Sequence, residues 1–170
     1  WSHRIGAQYQ FTDDLMTYVR YSEGFKSGGF FCRITLATAD SLRSFNPEEV
    51  STTELGLKST WWDQRLRVNA AIFTSDYSDK QEEIIVADAG GNVDTVVVNA
   101  SDATLSGAEL EISAALYEGL TGYMQGGYLD AEYDEFRTDV PGLPADASGL
   151  EMRNSPEFTY GAGLNYVHPI

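Results

Sequence analysis

The 170-residue sequence has little cysteine, few basic residues and no long apolar run. Cys32 is the single cysteine, so the sequence provides for neither an internal disulfide nor a thiolate metal cluster. The 11 lysines and arginines are outnumbered by 26 aspartates and glutamates, and the net charge is −15. This balance excludes the bulk neutralisation of phosphates on which nucleic-acid binding depends. No apolar stretch reaches the roughly 20 residues of a transmembrane helix.

Apolar and polar residues alternate over long stretches, which is the pattern of β-strands with two different faces. The alternation is clear in STTELGLKSTW, LSGAELEISAAL and FTYGAGLNYVH. Within these stretches, the apolar face carries Leu55, Leu57, Leu110, Ile112, Leu164 and Tyr166. The opposite face carries Glu54, Lys58, Glu109 and Glu111. The pattern predicts an all-β, antiparallel fold.

Connections of two sizes alternate along the chain. Short ones lie at residues 12–14, 62–65 and 117–119, and long ones at about 25–49, 79–103 and 134–155. The middle long connection contains EEIIV and TVVVN around DAGGN, which predicts a hairpin that projects above the main sheet. Between the connections there is room for about seven strands of about 10 to 14 residues, longer than the usual 5 to 6 of soluble sheets.

This strand length favours a membrane-spanning β-barrel, because a tilted transmembrane strand needs about 9 to 11 residues. Short turns at one end and long loops at the other are typical of outer-membrane barrels. Aromatic residues indicate two belts, one with Phe11, Trp61, Trp62, Tyr117 and Tyr166, the other with Tyr21, Phe25, Tyr77, Tyr133 and Phe158. We therefore predict that the apolar face contacts lipid and that Glu54, Lys58, Glu109 and Glu111 face the lumen. A soluble antiparallel sandwich or a curved ligand-binding sheet shares the same periodicity.

Four segments carry a family resemblance: YSEGFKSGGF, FNPEEVSTTELGLKSTWWDQRLRVNAAIFTSDYSDKQ, NASDATLSGAELEISAAL and GYLDAEYDEF. In this order and spacing they resemble the C-terminal barrel of TonB-dependent outer-membrane receptors. The resemblance implies a partial barrel domain over residues 1–170, with the plug, the TonB box, the first strands and the last strand outside this sequence. It also implies a Gram-negative outer membrane, active uptake of a scarce bulky ligand such as a ferric siderophore, and coupling to the TonB complex through the absent parts. We expect no cofactor.

The first long loop supplies the candidate ligand-vestibule residues. They are Arg20, Glu23, Phe25, Lys26 and Arg33. Arg20, Lys26 and Arg33 could form ion pairs with an anionic ligand, with lipopolysaccharide phosphates or with neighbouring acidic loops. No catalytic residue and no metal site are expected, because Glu109 and Glu111 lack an accompanying nucleophile and the two histidines lie near opposite ends. A porin-like passive channel and a soluble carbohydrate-binding or hydrolase domain remain as alternatives.

Overall fold

The structure is a computed structural model that describes residues 1–30, 44–87, 93–136, 146, 148–149 and 151–168. Cys32 and Arg33 lie outside the described residues. Within the described part, no helix is long and apolar enough to cross a membrane.

Seven long strands form one antiparallel sheet, and two strands of two residues form a small second sheet. The strands are β1 (Arg4–Thr12), β2 (Leu15–Lys26), β3 (Gly29–Phe30), β4 (Ser44–Phe45), β5 (Glu48–Trp61), β6 (Leu66–Ala87), β7 (Val93–Tyr117), β8 (Leu120–Phe136) and β9 (Phe158–Tyr166). The order in the main sheet is β1-β2-β5-β6-β7-β8-β9, so each strand pairs with its sequence neighbour apart from the small sheet. This up-and-down order confirms the predicted all-β antiparallel architecture.

Strands β6 and β7 are much longer than the sequence pattern predicted, with 22 and 25 residues. The predicted hairpin is the direct continuation of these two strands, and its register runs to Ala87 opposite Val93. The sequence predicted a long connection from about residue 79, because the stretch to residue 103 carries glycine, aspartate and serine, which are typical of loops. In the structure, two register irregularities between Tyr77 and Gln81 disturb the pairing without ending the strand, and Asp79 has a left-handed conformation there (φ 52°).

The register assigns each side chain to one of two faces, because directly opposed residues in neighbouring strands share a face. Val19, Leu55 and Ile72 are successive partners across β2, β5 and β6, and their row continues through β7 to β9. We call this side the apolar face; it carries Leu55, Leu57, Leu110, Ile112, Leu164 and Tyr166. The other side, which we call the charged face, carries Glu54, Lys58, Glu109 and Glu111.

The register corrects the second aromatic belt. Tyr21, Phe25 and Phe158 lie on the apolar face. Tyr77 and Tyr133 instead lie on the charged face, where both are aligned with Ala103 of β7. The sequence could not separate the two groups, because aromatic residues occupy both alternating positions near the ends of these strands.

Buried apolar side chains of the described residues gather at the long-loop end of the sheet. They are Ile84, Ala103, Ala131 and Tyr133. Large apolar side chains elsewhere are open, among them Leu55 at 50%, Ile72 at 56% and Leu164 at 71% exposure. A soluble domain of this size would bury most of such residues in a core. The apolar face therefore needs a covering that the described residues do not supply.

Three strand pairs each contain one aromatic ring opposite a glycine on the charged face. The pairs are Tyr18 with Gly56, Phe73 with Gly107, and Tyr123 with Gly163. In each pair, a methyl group added to the glycine would lie within 2.6 Å of the ring side chain. The rings thus lie over bare backbone, an arrangement that helps to fix the register of these strand pairs.

Candidate functional site

The centre of the charged face holds an ion pair between neighbouring strands. Arg20 of β2 and Glu54 of β5 are directly opposed, and Arg20 Nη2 donates to Glu54 Oε2 at 2.7 Å. The Tyr18 hydroxyl donates to the other carboxylate oxygen, also at 2.7 Å. Lys58 Nζ lies 5.8 Å from the centre of the Tyr18 ring. Glu54 thus balances the charge of Arg20 across the β2–β5 strand pair.

Glu109 and Glu111 lie two strands further along the same face, and both are exposed. Asn69 Nδ2 donates to Glu111 Oε2 at 3.3 Å, and Gln125 lies opposite Glu111 on β8. Among the described residues, no group of three His, Cys, Asp or Glu side chains could hold a metal ion. The pair forms part of a polar wall, and the described residues place no histidine beside it.

The structure separates the predicted vestibule residues. Arg20 and Lys26 lie on the charged face, whereas Glu23 and Phe25 lie on the apolar face with Tyr21. Glu23 accepts a hydrogen bond of 2.9 Å from the Tyr21 hydroxyl. The alternation of side chains along β2 imposes this division, and Arg33 lies outside the described residues.

At the long-loop end, the buried side chain of Gln81 joins β6 to the two ends of the β2–β5 connection. Its amide Nε2 donates to the carbonyl oxygens of Asn46 and Ser27 at 3.0 and 3.2 Å. Its backbone N–H donates to a carboxylate oxygen of Glu48 at 2.9 Å. Gln81 is only 8% exposed, so these bonds are shielded from water.

Asn99 of β7 completes this junction from the other strand of the hairpin. Its side-chain oxygen accepts from the Asn46 N–H at 2.6 Å, and its Nδ2 donates to the Asn46 carbonyl at 3.0 Å. The same Nδ2 lies 2.7 Å from the carbonyl of Asp79 at the register irregularity. Both strands of the projecting hairpin are therefore fixed to the base of the first long connection.

A buried carboxylate, Glu82, links the hairpin to the connection that follows β8. The Tyr133 hydroxyl donates to Glu82 Oε1 at 2.8 Å, and Lys80 Nζ pairs with the same oxygen. Arg153 Nη2 lies 3.4 Å from Glu82 Oε2. Burial alone would raise the pKa of the Glu82 carboxyl, but hydrogen bonds from Lys80 and Tyr133 outweigh it and lower that pKa. Burial, followed by the bond to Glu82, raises the pKa of Tyr133 to about 12.

The sequence did not reveal Gln81, Glu82, Asn99 or Arg153 as members of a site. The run QEEIIV places three polar residues before three apolar ones, and its carboxylates look like ordinary solvated side chains. Arg153 lies 71 positions from Glu82, so their contact depends on the order of three strands. Two adjacent carboxylates directly before the apolar residues 84–86 of the projecting hairpin are the one signal that could have pointed to Glu82.

Taken together, these features describe the wall of an outer-membrane β-barrel. Neighbouring antiparallel strands are joined by short turns at one end of the sheet. At the other end, long connections join β2 to β5 and β8 to β9, and the projecting hairpin joins β6 to β7. The two faces of the sheet differ in polarity, as in outer-membrane barrels. Residues 1–169 match the family model described as TonB dependent receptor-like, β-barrel. The chain therefore belongs to the TonB-dependent receptor β-barrel family.

Several solved structures have the same fold as this chain. The ferric yersiniabactin uptake receptor FyuA from Yersinia pestis superimposes with a TM-score of 0.70 at 23% identity, over 98% of this chain and 23% of that one. The copper transporter OprC gives 0.68 at 16% identity, over 98% and 24%. The ferric-catecholate import receptor Fiu from K12 E. coli gives 0.65 at 17% identity, over 96% and 22%. The chain thus spans about a quarter or less of these proteins.

The family settles three of the predictions. The predicted barrel fold is confirmed, and the protein is placed in the outer membrane of a Gram-negative bacterium. Members of the family are transport receptors and not enzymes, so the hydrolase alternative is set aside on family grounds. The solved relatives are named for different cargoes, so the fold by itself does not identify the ligand.

Proposed function

We propose that the protein is a receptor that takes up a scarce, bulky ligand such as a ferric siderophore across the outer membrane, with energy delivered by TonB. This chain supplies wall, loop bases and part of the ligand vestibule. Its apolar face contacts lipid through Leu55, Leu57, Leu110, Ile112, Leu164 and Tyr166. Its charged face, with Glu54, Lys58, Glu109 and Glu111, borders the lumen. The single observation that supports this most strongly is the open apolar face opposite a row of charges.

The cost of burying charge favours this orientation. A charged residue facing lipid near the middle of a barrel costs about 2 to 4 kcal/mol for arginine or lysine, whereas the same residue in a wet lumen costs little. Lys58 and the Arg20–Glu54 pair lie at the level of Leu55 and Leu57, well inside the apolar stretch. The reverse orientation would place these groups in hydrocarbon and the leucines in water.

Site-directed spin labelling of the full-length receptor in nanodiscs tests the orientation. Single cysteines are introduced in a Cys32→Ser background, so that the native thiol takes no label. Labels at positions 110 and 112 should collide with a lipid-soluble relaxing agent, and labels at 109 and 111 with a water-soluble one. The opposite pattern would show that the assignment of the faces is wrong.

The uptake activity and the side of the membrane on which the projecting hairpin lies are tested by separate measurements. A membrane-impermeant maleimide should label a cysteine at position 85 in intact cells, because Ile85 lies on the exposed part of the projecting hairpin. Uptake of a labelled ferric siderophore should stop when the TonB complex is deleted or the proton gradient is collapsed. Uptake that persists without energy would favour the passive channel.

A further inference from the structure

Among the described residues, few backbone contacts hold the chain that returns from β8 towards β9 against the sheet. We call residues 148–149 and 151–155 the return segment. The Gly149 N–H donates to the Tyr133 carbonyl at 2.7 Å, and the Met152 N–H to the Ala131 carbonyl at 3.1 Å. A single isolated bridge joins Glu132 to Glu151. Between the described residues these contacts do not form a continuous ladder, and side-chain contacts add to them.

Arg153 provides a contact to a distant strand. The return segment lies along β8, while Glu82 belongs to β6, and β7 lies between β6 and β8 in the sheet. The Arg153 side chain therefore extends over the charged face to reach the carboxylate at 3.4 Å. Beneath this crossing lies the buried group at the long-loop end that includes Tyr133.

The two members of the ion pair differ in how firmly they are held. Glu82 has a side-chain exposure of 9% and keeps Lys80 and the Tyr133 hydroxyl as partners when Arg153 departs. Arg153 has a side-chain exposure of 75% and meets the carboxylate through one long contact. The pair can therefore open without leaving a buried charge unpaired, which is the expensive event in most buried ion pairs.

An oxyanion is the group best able to replace Glu82 as the partner of Arg153. A guanidinium binds carboxylate or phosphate most strongly through two parallel hydrogen bonds, whereas Glu82 offers it one at 3.4 Å. An incoming anion meets an acidic chain with a net charge of −15, so an exposed arginine on the charged face is a favoured contact.

We propose that the Arg153–Glu82 ion pair is a latch that holds the return segment over the charged face, and that an oxyanion group of an incoming ligand opens it by pairing with Arg153. The proposal rests on the proposed function, in which this end of the charged face is the ligand entrance. Glu82 stays in place with Lys80 and Tyr133, and the return segment moves away from β8 with Arg153.

Hydrogen exchange on the full-length receptor in nanodiscs tests the latch, with Gly149 and Met152 as the reporting amides. Citrate serves as the oxyanion probe, against sodium chloride at equal ionic strength. Arg153→Gln should speed exchange about 1.4- to 5-fold, the range given by an exposed ion pair. Citrate should speed exchange in the wild type by a similar factor and leave Arg153→Gln unchanged. Arg153→Lys keeps the positive charge but not the two parallel N–H donors of the guanidinium, so it should respond to citrate less than the wild type.

Arg67→Gln is the matched control, because Arg67 is an exposed arginine on the same face at the far end of the sheet. It should leave exchange in the return segment unchanged. The latch is refuted if Arg153→Gln behaves like Arg67→Gln, or if citrate acts equally on Arg153→Gln and on the wild type. Labelling at position 85 from outside the cell decides separately whether this end is the entrance, so failure of the latch and failure of the proposed function give different results.

Discussion

Substitution of Gly56 by alanine tests the aromatic–glycine pairs of the charged face. An ideal Cβ at Gly56 would lie 2.2 Å from Cζ of Tyr18 and 2.4 Å from its hydroxyl oxygen. Backbone on both strands is fixed by the β2–β5 register, so the tyrosine ring must move. The ring can leave only by giving up the 2.7 Å hydrogen bond to Glu54.

The size of the effect follows from these contacts. A hydrogen bond to a charged group contributes about 1.5 to 3 kcal/mol. Replacing glycine by alanine in a strand returns about 0.5 to 1 kcal/mol through backbone entropy. We therefore expect Gly56→Ala to lower the free energy of unfolding by about 1 to 2 kcal/mol. Gly126 is the control, because the nearest atom to an added Cβ there is 3.8 Å away, so Gly126→Ala should be neutral or slightly stabilising.

Urea unfolding of the full-length receptor from lipid vesicles, followed by tryptophan fluorescence, gives the required free energies. The sharpest test is a double-mutant cycle with Tyr18→Ala, which removes the ring. In that background Gly56→Ala should become stabilising, with a coupling energy of about 2 kcal/mol. Additive effects, or equal losses for Gly56→Ala and Gly126→Ala, would refute the steric argument.

Three further outcomes are expected. Gln64 ends a run of three residues with positive φ, which is a strained conformation for a residue other than glycine. Gln64→Gly should therefore raise the free energy of unfolding by about 0.5 to 1 kcal/mol, measured as a higher urea midpoint. A lower midpoint would show that the backbone at Gln64 is not strained. Gln81→Leu should leave the carbonyls of Asn46 and Ser27 without this donor and cost about 1 to 3 kcal/mol, with faster hydrogen exchange at 44–48 but not in the return segment. The pKa of Glu82 lies below its ordinary value of 4.5, so its contribution is present above that value and lost as the pH falls through the native pKa. Lys80, Arg153 and the Tyr133 hydroxyl face this carboxylate, so a spin label at position 151 should become more mobile only as the pH falls below 4.5, and Glu82→Gln should remove that step.

Periodicity accounts for most of the fold that the sequence predicted. The six apolar positions, Leu55 among them, and the charged positions such as Glu54 were assigned to opposite faces from alternation alone, and the register gives the same division. Alternation did not predict the full length of β6, because the strand is irregular near Asp79. The register shifts there, and the glycine, aspartate and serine that follow made one continuous strand look like a strand followed by a loop.

The candidate site was harder to predict than the fold. The predicted vestibule group does not share one face of β2: Arg20 and Lys26 lie on one side, whereas Glu23 and Phe25 lie on the other, because proximity in sequence says nothing about facing. The contacts that Gln81 and Glu82 make outside their own strand join residues 33 to 71 positions apart. Such contacts are set by the order of strands in the sheet, which a single sequence does not specify.

Expression of residues 1–170 without detergent decides between a membrane wall and a soluble sheet. A soluble domain must bury its apolar side chains, yet in the described part four apolar residues are buried, and side chains such as Ile72 and Leu164 remain open. Within the described sheet, β1 and β9 each pair on one side only, so both offer an unpaired edge to another copy. We therefore expect aggregation in buffer, prevented by detergent. A monomer that stays in solution without detergent and keeps this strand content would contradict the assignment of the apolar face to lipid.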